Sequence, residues 1–448
     1  MRDLTKGDTL KVIIRFAIPI CMGSLFQLLY SLVDTRIVGS TLGKDALAAV
    51  GATTTLNTLI IGFLIGLTNG FAVITAQNFG AGNEERVRKS VASALALGLI
   101  VSAVFTWISL TGLKDILSWL NMPAEHFEEG YDYIFVILAG MTAAMLYNVC
   151  ASVLRAIGDT ITPLCFLIFS TIANIFLDYA FILGLHTGVE GAAYATVISQ
   201  TLAFILCVLY MLKKYPFLRI RLWDFKPERS LWSRLMASGL SMGFMQSLVS
   251  LGTVSLQSAI NTFGTNTIVA HTAARKITEL FMLPFSVLGM TMTTFCGQNL
   301  GAGKFDRIKE GIKKALFLAW GWCLLVILAS YTIAPFLIKS VTATKELEVI
   351  ETASLYLRVD TILYFVTAVI TVFRNSLQGI GDCIVPIVSS AIELVGKILV
   401  VLFLTPRLGY WGIIIAEPIV WVVMVLPLII RMLTIPILKN TGGNVANV

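Results

Sequence analysis

The sequence predicts an all-α polytopic membrane protein, with twelve transmembrane helices in two parallel, pseudo-symmetric lobes of six helices each. The first observation is composition: 57% of the residues are hydrophobic and 13% are charged, about half the charged share of a soluble domain. The second is a series of about twelve apolar runs, each near the roughly 20 residues that a helix needs to cross a bilayer. The third is a duplication that relates the two halves of the chain.

The apolar runs are separated by short polar segments, as in a multi-pass membrane protein. No small-residue cleavage site follows the first run, which we therefore interpret as a retained span rather than a removed signal peptide. Spans are predicted near residues 12–38, 46–76, 90–113, 131–153, 161–184, 189–212, 235–262, 268–296, 315–338, 353–377, 384–406 and 410–436.

The duplication appears in two motifs that recur in the same order. QNFGAGNEER at 77–86 matches QNLGAGKFDR at 298–307 in six of ten positions, an offset of 221. RAIGDTITP at 155–163 matches QGIGDCIVP at 378–386 in five of nine positions, an offset of 223. Each half holds six spans, an even number, so the repeats are expected to be parallel. The predicted domains are an N-terminal lobe (1–215), a cytoplasmic linker (216–230) and a C-terminal lobe (231–448).

The formal charge of +7 follows the topology. The connections on one side of the predicted membrane, together with the two chain ends, hold 23 of the 33 basic residues. The positive-inside rule then places both termini in the cytoplasm, in a cytoplasmic (plasma) membrane, and no nucleic-acid partner is needed to explain the charge. The seven cysteines are scattered without a CxxC pair and are expected to be reduced core residues.

The Gly-rich repeated motif does not indicate nucleotide binding, because the GAG sequence lacks the following Lys-Ser/Thr of a P-loop. Its glycines favour a tight turn. Two parallel six-helix bundles instead suggest a central cavity that opens alternately to either side of the membrane. The sequence therefore predicts a transporter that has no cofactor and is driven by an ion gradient.

Polar residues inside predicted spans mark the candidate sites, because an ionisable side chain in the bilayer is costly. In the first half these are Asp34 in span 1, Asn174 and Asp178 one turn apart in span 5, and Thr196 in span 6. Their oxygens suit a proton or a small cation. The alternative is that Asp34 caps a helix and Asn174 bonds a neighbouring helix. The positions of the second half that correspond to Asp34 and Asp178 are apolar, so the fold itself does not require these acids.

The second half has a different set of charges. Glu393 and Lys397 lie four residues apart in span 11, the favourable order for an ion pair, and either a structural or a functional role is open. The three histidines form no metal motif and no nucleophile lies near a base, so neither a metal site (other than one for Na⁺) nor an enzyme is expected. The remaining candidates for a polar network in this half are His271, Arg275, Glu279 and Asp360.

With these motifs in this order, the chain resembles the multidrug and toxic compound extrusion (MATE) family, in its bacterial type. The resemblance covers nearly the whole chain through LVDTRIVG, QNFGAG, LRAIGDTITP, NIFLD, AHTAARKITEL and QNLGAG. It implies two six-helix lobes that form a V. It also implies antiport, in which amphipathic and often cationic organic compounds are exported in exchange for H⁺ or Na⁺.

The resemblance also implies where the ion binds. One branch of the family places its cation site in the N-terminal lobe, on residues that correspond to Asp34, Asn174, Asp178 and Thr196. Another branch uses acids of spans 7 and 10. Here span 7 has no acid, and Gln246 is its nearest polar group, although Asp360 lies in span 10. Coupling through the C-terminal lobe is therefore in doubt.

Two alternatives to an exporter remain open. One is a flippase for lipid-linked oligosaccharides, which would need several cationic side chains in its cavity, where only Arg275 and Lys397 are candidates. The other, a passive channel, is disfavoured by the asymmetric acid site. The expected partners are small amphipathic substrates and membrane lipids, and the protein is expected to be a monomer. The residues predicted to line a substrate cavity are Tyr30, Met145, Gln246, Met282 and Phe285.

Overall fold

The computed structural model describes residues 3–42, 44–119, 124–342 and 346–439, and within these ranges the chain is helical with no strand. The described part of the first half contains eight α-helices. They are α1 (Thr9–Thr41), α2 (Lys44–Gly80), α3 (Glu84–Thr111), α4 (Leu113–Trp119), α5 (Phe127–Ala139), α6 (Met141–Ala156), α7 (Ile161–Tyr179) and α8 (Val189–Lys214).

The second half repeats this order with extra short helices near its end. They are α9 (Arg229–Ile260), α10 (Thr265–Gly301), α11 (Phe305–Thr332), α12 (Ala334–Thr342), α13 (Leu347–Ile362), α14 (Tyr364–Gly379), α15 (Ile384–Leu399), α16 (Thr405–Leu408), α17 (Tyr410–Ile414), α18 (Ala416–Thr434) and α19 (Pro436–Lys439). A π-helical turn follows α7 (Ala180–Gly184), and another follows α15 (Val400–Leu404). The predicted all-helical fold class is confirmed.

The predicted number of spans is also met. Among the described residues, ten helices are long and apolar enough to cross a membrane, and counting two bent helix pairs as one span each gives twelve. The bent pairs are α5 with α6 (46°) and α13 with α14 (52°). The sequence predicted an unbroken span at each place. At the first bend, a Cβ on Gly140 would lie 2.2 Å from Val197 Cγ2, so the chain passes α8 too closely for a larger residue.

The repeated Gly-rich motif forms the same helix-ending turn in both halves. Gly82 and Gly303 have positive φ angles of 70° and 68°, a conformation that glycine adopts at little cost. The N–H of Asn83 then reaches the carbonyl of Asn78 (3.2 Å), and the N–H of Lys304 reaches that of Asn299 (2.8 Å). These are the long backbone bonds of a Schellman C-cap. The motif is therefore a connector between helices.

The second repeated motif, with the sequence IGD, ties three helices together. The carboxylate of Asp159 accepts from the Thr162 N–H (3.1 Å) at the start of α7 and from the Tyr215 hydroxyl (2.6 Å) just beyond α8. Burial alone would raise the pKa of Asp159, but hydrogen bonds from Thr162 and Tyr215 outweigh it and lower the pKa. In the second half, Asp382 likewise caps α15 and accepts from Arg431 Nε of α18 at 2.5 Å.

The chain divides into two compact units that differ from the predicted lobes at the start of each repeat. The first unit takes in Ile18–Gly243, and the second takes in Leu4–Ala17 and the chain from Phe244 onward. The helices α1 and α9 therefore each contribute residues to both units. The predicted boundaries of the two lobes, at residues 215 and 231, were drawn from the sequence repeats and stay a prediction.

Candidate functional site

The candidate ion site of the first unit is built on α7. Asn174 and Asp178 lie four residues apart, and therefore on one face of the helix. Their side chains are 2% and 0% exposed, respectively. Buried polar groups of this kind are stable only when they are hydrogen-bonded or bind a ligand. The face of α7 that they occupy is therefore a functional candidate rather than part of an apolar core.

The amide of Asn174 is the centre of the cluster. It makes most hydrogen bonds when its nitrogen donates to the Tyr30 hydroxyl of α1 and to Asp178 Oδ2 (3.3 Å). In this orientation its oxygen accepts from the backbone N–H of Thr196 on α8, at 3.1 Å. The Thr196 hydroxyl donates to the Ala192 carbonyl at 3.0 Å. Asn174 thus brings α1, α7 and α8 together at one point.

Three of the four predicted ion-site residues are brought together in this way, namely Asn174, Asp178 and Thr196. Asp34 lies on α1 one helical turn beyond Tyr30, but its side chain lies outside the described part of the structure. Tyr30 was predicted to line the substrate cavity, which stays a prediction, and the structure places its hydroxyl in contact with Asn174. This contact could not be predicted from the sequence, because a tyrosine on an apolar helix is usually a packing residue.

The arrangement has the chemistry of a site for a proton or an alkali cation. Its ligand atoms are a carboxylate, an amide oxygen and hydroxyl oxygens, all of them hard donors of the kind that bind such cations. No thiolate or imidazole takes part among the described contacts. A buried carboxylate here is neutralised either by a proton or by a cation, since an uncompensated charge in this position is costly.

The second unit contains a chain of buried ion pairs. Lys397 Nζ lies 3.1 Å from Glu393 Oε1 and 3.2 Å from Glu417 Oε1. Arg275 Nη1 lies 3.0 Å from Glu417 Oε2, and Arg374 Nη2 lies 3.5 Å from Glu393 Oε2. The predicted pairing of Glu393 with Lys397 is therefore present, but it is one link in a five-residue network. Each carboxylate faces two cations.

Other predicted members of this network lie apart from it. Glu279, a predicted candidate for the polar network, is exposed and pairs with Lys276 at 3.5 Å instead. Residues four apart share one side of a helix, but Arg275 meets Glu417 of α18, whereas Glu279 pairs with Lys276 of its own helix at an exposed position. His271 is buried, with Nδ1 3.2 Å from the Tyr410 hydroxyl.

Asp360 is buried on α13, with 1% of its surface exposed. The Tyr364 hydroxyl donates to its Oδ2 at 3.0 Å. Within the described residues, its Oδ1 has no hydrogen-bond partner. Asp360 is thus separate from the ion-pair chain in its hydrogen bonding, although it lies in the same unit.

Two of the residues that were predicted to line the substrate cavity are buried in the packed core. Met145 has no exposed surface and packs in the core of the first unit, and Phe285 is 2% exposed with its ring edge-on to Tyr364. Both have the surroundings of packed core residues, which argues against the predicted role. Gln246 is exposed and Met282 is partly buried. These two stay predictions for the cavity.

Two members of the ion-pair chain were missed from the sequence. Glu417 follows the short break between α17 and α18 within an otherwise apolar run, and the rule that ionisable residues inside spans are significant would have found it. Arg374 was counted among the cytoplasmic connections, but the structure places it inside α14 with 8% exposure. The predicted span 353–377 already contains residue 374, so assigning Arg374 to a connection conflicted with the span prediction itself.

Comparisons with known proteins agree with this architecture. The family model described as MatE matches residues 19–180 and 242–403, one match in each half. "Probable multidrug resistance protein YoeA" of Bacillus subtilis (strain 168) is 31% identical over 310 residues, 68% of this chain and 67% of that protein. The "FAD transporter" of Shewanella oneidensis is 25% identical over 374 residues, 82% of each chain.

A solved structure matches over nearly the full length. It is described as the outward-facing conformation of a multidrug resistance MATE family transporter of the MOP superfamily. The TM-score is 0.88 at 27% identity, with 98% of each chain covered. The similarity therefore covers the helices of both halves in their order along the chain.

Proposed function

The chain belongs to the MatE family of transporters, and we propose that it exports amphipathic organic compounds in exchange for H⁺ or Na⁺ by alternating access. It is a multi-pass membrane protein and not an enzyme. The coupling ion, the substrate and the membrane are parts of the proposal. The location we propose is the cytoplasmic membrane with both termini inside, on the basis of the positive charge of the connections.

The observation that carries the proposal is the buried cluster around Asn174. Asp178, Asn174 and the Thr196 backbone are joined by hydrogen bonds of 3.3 and 3.1 Å, and we add the carboxylate of Asp34 from its position on α1. Two carboxylates in one low-dielectric site cannot both stay charged without a counter-ion. Such a site binds a proton or a cation, and releases it when the surroundings become more polar.

The equivalent place in the second unit supports the choice of the first unit. The starts of α7 and α15 are related by an offset of 223, at which Asn174 corresponds to Lys397 and Ser170 to Glu393. There the ammonium of Lys397 already lies within 3.2 Å of two carboxylates. A carboxylate that is neutralised by its own chain has little affinity for an external cation. The first unit is therefore the proposed coupling site.

Ion exchange at this cluster would act through α1. Tyr30 of α1 bonds Asn174 of α7, so binding or release of an ion changes the hydrogen bonds that hold these two helices together. α1 contributes its first residues to the second unit and its remainder to the first. We propose that this shared helix transmits the ionic state of the site to the change of access.

The substrate is proposed to be an amphipathic organic compound, often a cation. The FAD transporter among the relatives makes an anionic dinucleotide a second candidate, which would need cationic side chains in the cavity. A flippase for a lipid-linked pyrophosphate has the same requirement. Arg275 and Lys397, the cations on which that alternative depends, are both paired with Glu417. This pairing favours the exporter.

Transport by purified protein in vesicles tests the proposal. Vesicles are given an opposing Na⁺ gradient or a proton gradient separately, with ethidium as the cationic substrate and FAD as the alternative. We expect uphill ethidium transport with at least one gradient, and its loss in Asp34→Asn, which keeps the size of the side chain but removes its charge. Glu279→Gln is the matched control, since this exposed acid should not matter. Movement that only dissipates a substrate gradient would contradict antiport.

A further inference from the structure

The linker between α8 and α9 exposes large apolar side chains at a fixed position. It contains two short 3₁₀ turns, Pro216–Leu218 and Leu222–Phe225. Leu222 is 90% exposed and Trp223 is 83% exposed. Neither residue can be explained as part of a membrane-crossing helix, because the linker lies between the end of one span and the start of the next.

Contacts on both sides of these two residues hold the turn in place. Asp224 is 4% exposed, and its Oδ2 accepts from Arg88 Nε of α3 at 2.6 Å and from the Arg221 N–H at 2.7 Å. Burial alone would raise the pKa of Asp224, but the hydrogen bonds from the Arg221 N–H and Arg88 outweigh it and lower the pKa. Leu218, 2% exposed, packs into the core of the first unit. The turn is thus fixed with Leu222 and Trp223 pointing away from the protein.

Basic residues surround the apolar pair. Arg219, Arg221, Lys226 and Arg229 are all exposed. The nearest acid, Asp224, is buried and already paired with Arg88, and Glu228 lies 3.7 Å from Arg86. An indole and a leucine within a rim of positive charge match the border between the hydrocarbon and the headgroups of an anionic membrane.

The position of the linker favours a lipid surface over a protein partner. One end follows directly from α8 at Lys214 and the other runs directly into α9 at Arg229, and both helices are long and apolar enough to cross a membrane. Its anchor, Arg88, lies in the second turn of a third such helix, α3. The turn is therefore held level with the ends of three spans, which is the level of the headgroups.

We propose that the Leu222–Phe225 turn is an interfacial anchor, in which Leu222 and Trp223 insert among the headgroups of the adjacent leaflet and the surrounding Lys and Arg side chains bind anionic phospholipids. The ligand is the phosphate of a lipid headgroup, and phosphatidylglycerol is the probe. The anchor would fix the linker that joins the two repeats to the membrane surface. An acidic protein partner is the competing occupant.

The first experiment measures the depth of Trp223 in the full-length protein in lipid nanodiscs. The fluorescence of Trp223→Phe is subtracted from that of the wild type, to isolate one tryptophan among the eight. We expect this difference signal to be quenched more strongly by lipids brominated near the headgroup than by lipids brominated near the chain end, and to be protected from aqueous iodide. A signal quenched by iodide and by neither lipid would overturn the insertion.

The second experiment measures the lipid preference. Native mass spectrometry counts phosphatidylglycerol retained from mixed phosphatidylglycerol–phosphatidylcholine nanodiscs. Lys226→Gln/Arg229→Gln should lose retained phosphatidylglycerol several-fold. Lys339→Gln/Arg407→Gln removes the same charge at exposed residues of α12 and α16, and should retain it. Equal losses in both double variants would show a general charge effect and contradict a site at the linker. All these positions are exposed, so the variants should fold.

Discussion

At the scale of single residues, the second unit contains a chain of buried charges whose three central members each have two partners of opposite charge. Lys397 is shared between Glu393 and Glu417, while Glu393 is shared between Lys397 and Arg374. Removing one partner of a buried pair leaves a charge uncompensated, at a cost of about 3–5 kcal/mol. The cost should therefore depend on whether the remaining charge keeps a second partner.

This sharing predicts an asymmetry between two substitutions. Lys397→Met leaves Glu393 with Arg374 and Glu417 with Arg275, so it should lower the unfolding temperature only moderately. Glu393→Gln should cost more, because Lys397 keeps Glu417 but the buried Arg374 loses the one carboxylate with which it pairs among the described residues. The double variant should lose less than the sum of the two, since the partners interact. Thermal unfolding in detergent measures all three, with Lys276→Met at the exposed pair with Glu279 as the control. Additive and equal losses would show that the network does not exist.

At the scale of helices, α2 and α9 approach each other through glycines. Each helix has two of them four residues apart, Gly66 and Gly70 on α2 and Gly239 and Gly243 on α9. This is the small-xxx-small pattern that lets helix backbones come close in membranes, where packing rather than the hydrophobic effect drives association. A Cβ on Gly70 would lie 2.4 Å from the Ser238 carbonyl oxygen. All four residues lie in the first unit.

Gly70→Ala should therefore destabilise the protein, since the added methyl meets backbone atoms that cannot rotate away. Overpacking of this kind costs about 1–3 kcal/mol. Gly51→Ala is the matched control on the same helix, because a Cβ there has no neighbour within 4 Å, and alanine is the better helix former by roughly 1 kcal/mol. Unfolding temperatures of the two variants in detergent should move in opposite directions. A loss at Gly51 as large as at Gly70 would contradict the close approach.

The positions of the helices were predictable from the sequence where a long apolar run marks a span or a repeated motif marks a helix end. The Schellman turns at Gly82 and Gly303 follow from local chemistry, and local chemistry is what a sequence displays. The bends at Gly140 and Leu363 were not predicted, because they depend on neighbouring helices such as the one carrying Val197. Glu417 was identifiable as an ionisable residue inside an apolar span, but its pairing with Arg275 and Lys397 was not, since these partners are distant along the chain.

At the scale of the whole molecule, the duplication repeats architecture but not chemistry. α2 and α10 both have 37 residues, and α3 and α11 both have 28. The Gly-rich motifs also act alike, since Gln298 accepts from the Leu4 N–H (3.0 Å) and Gln77 accepts from Arg234 Nη2 (2.9 Å). In each motif, the glutamine thus accepts a hydrogen bond from a residue near the start of a repeat's first span. The charges, in contrast, form an ion-site candidate in one unit and a self-neutralised network in the other.

Because the two units differ in their charges in this way, we propose that the cluster around Asn174 in the first unit binds the coupling ion. If a proton and Na⁺ share its carboxylates, they must compete, because protonation removes the charge that Na⁺ needs. Na⁺ affinity should then rise with pH. The amide and the hydroxyl matter for Na⁺, which needs several oxygen ligands, more than for a proton.

The most direct measurement is the equilibrium affinity of the purified protein for Na⁺, taken as a function of pH for the wild type and for Asn174→Ala. Asn266→Ala, at an exposed asparagine that bonds Glu348 at 2.8 Å on the surface of the second unit, serves as the control. We predict that wild-type affinity increases as pH rises, that Asn174→Ala weakens it at every pH, and that Asn266→Ala changes neither. A Na⁺ affinity that is absent, or that responds neither to pH nor to the loss of the Asn174 amide, would contradict the assignment of the coupling site.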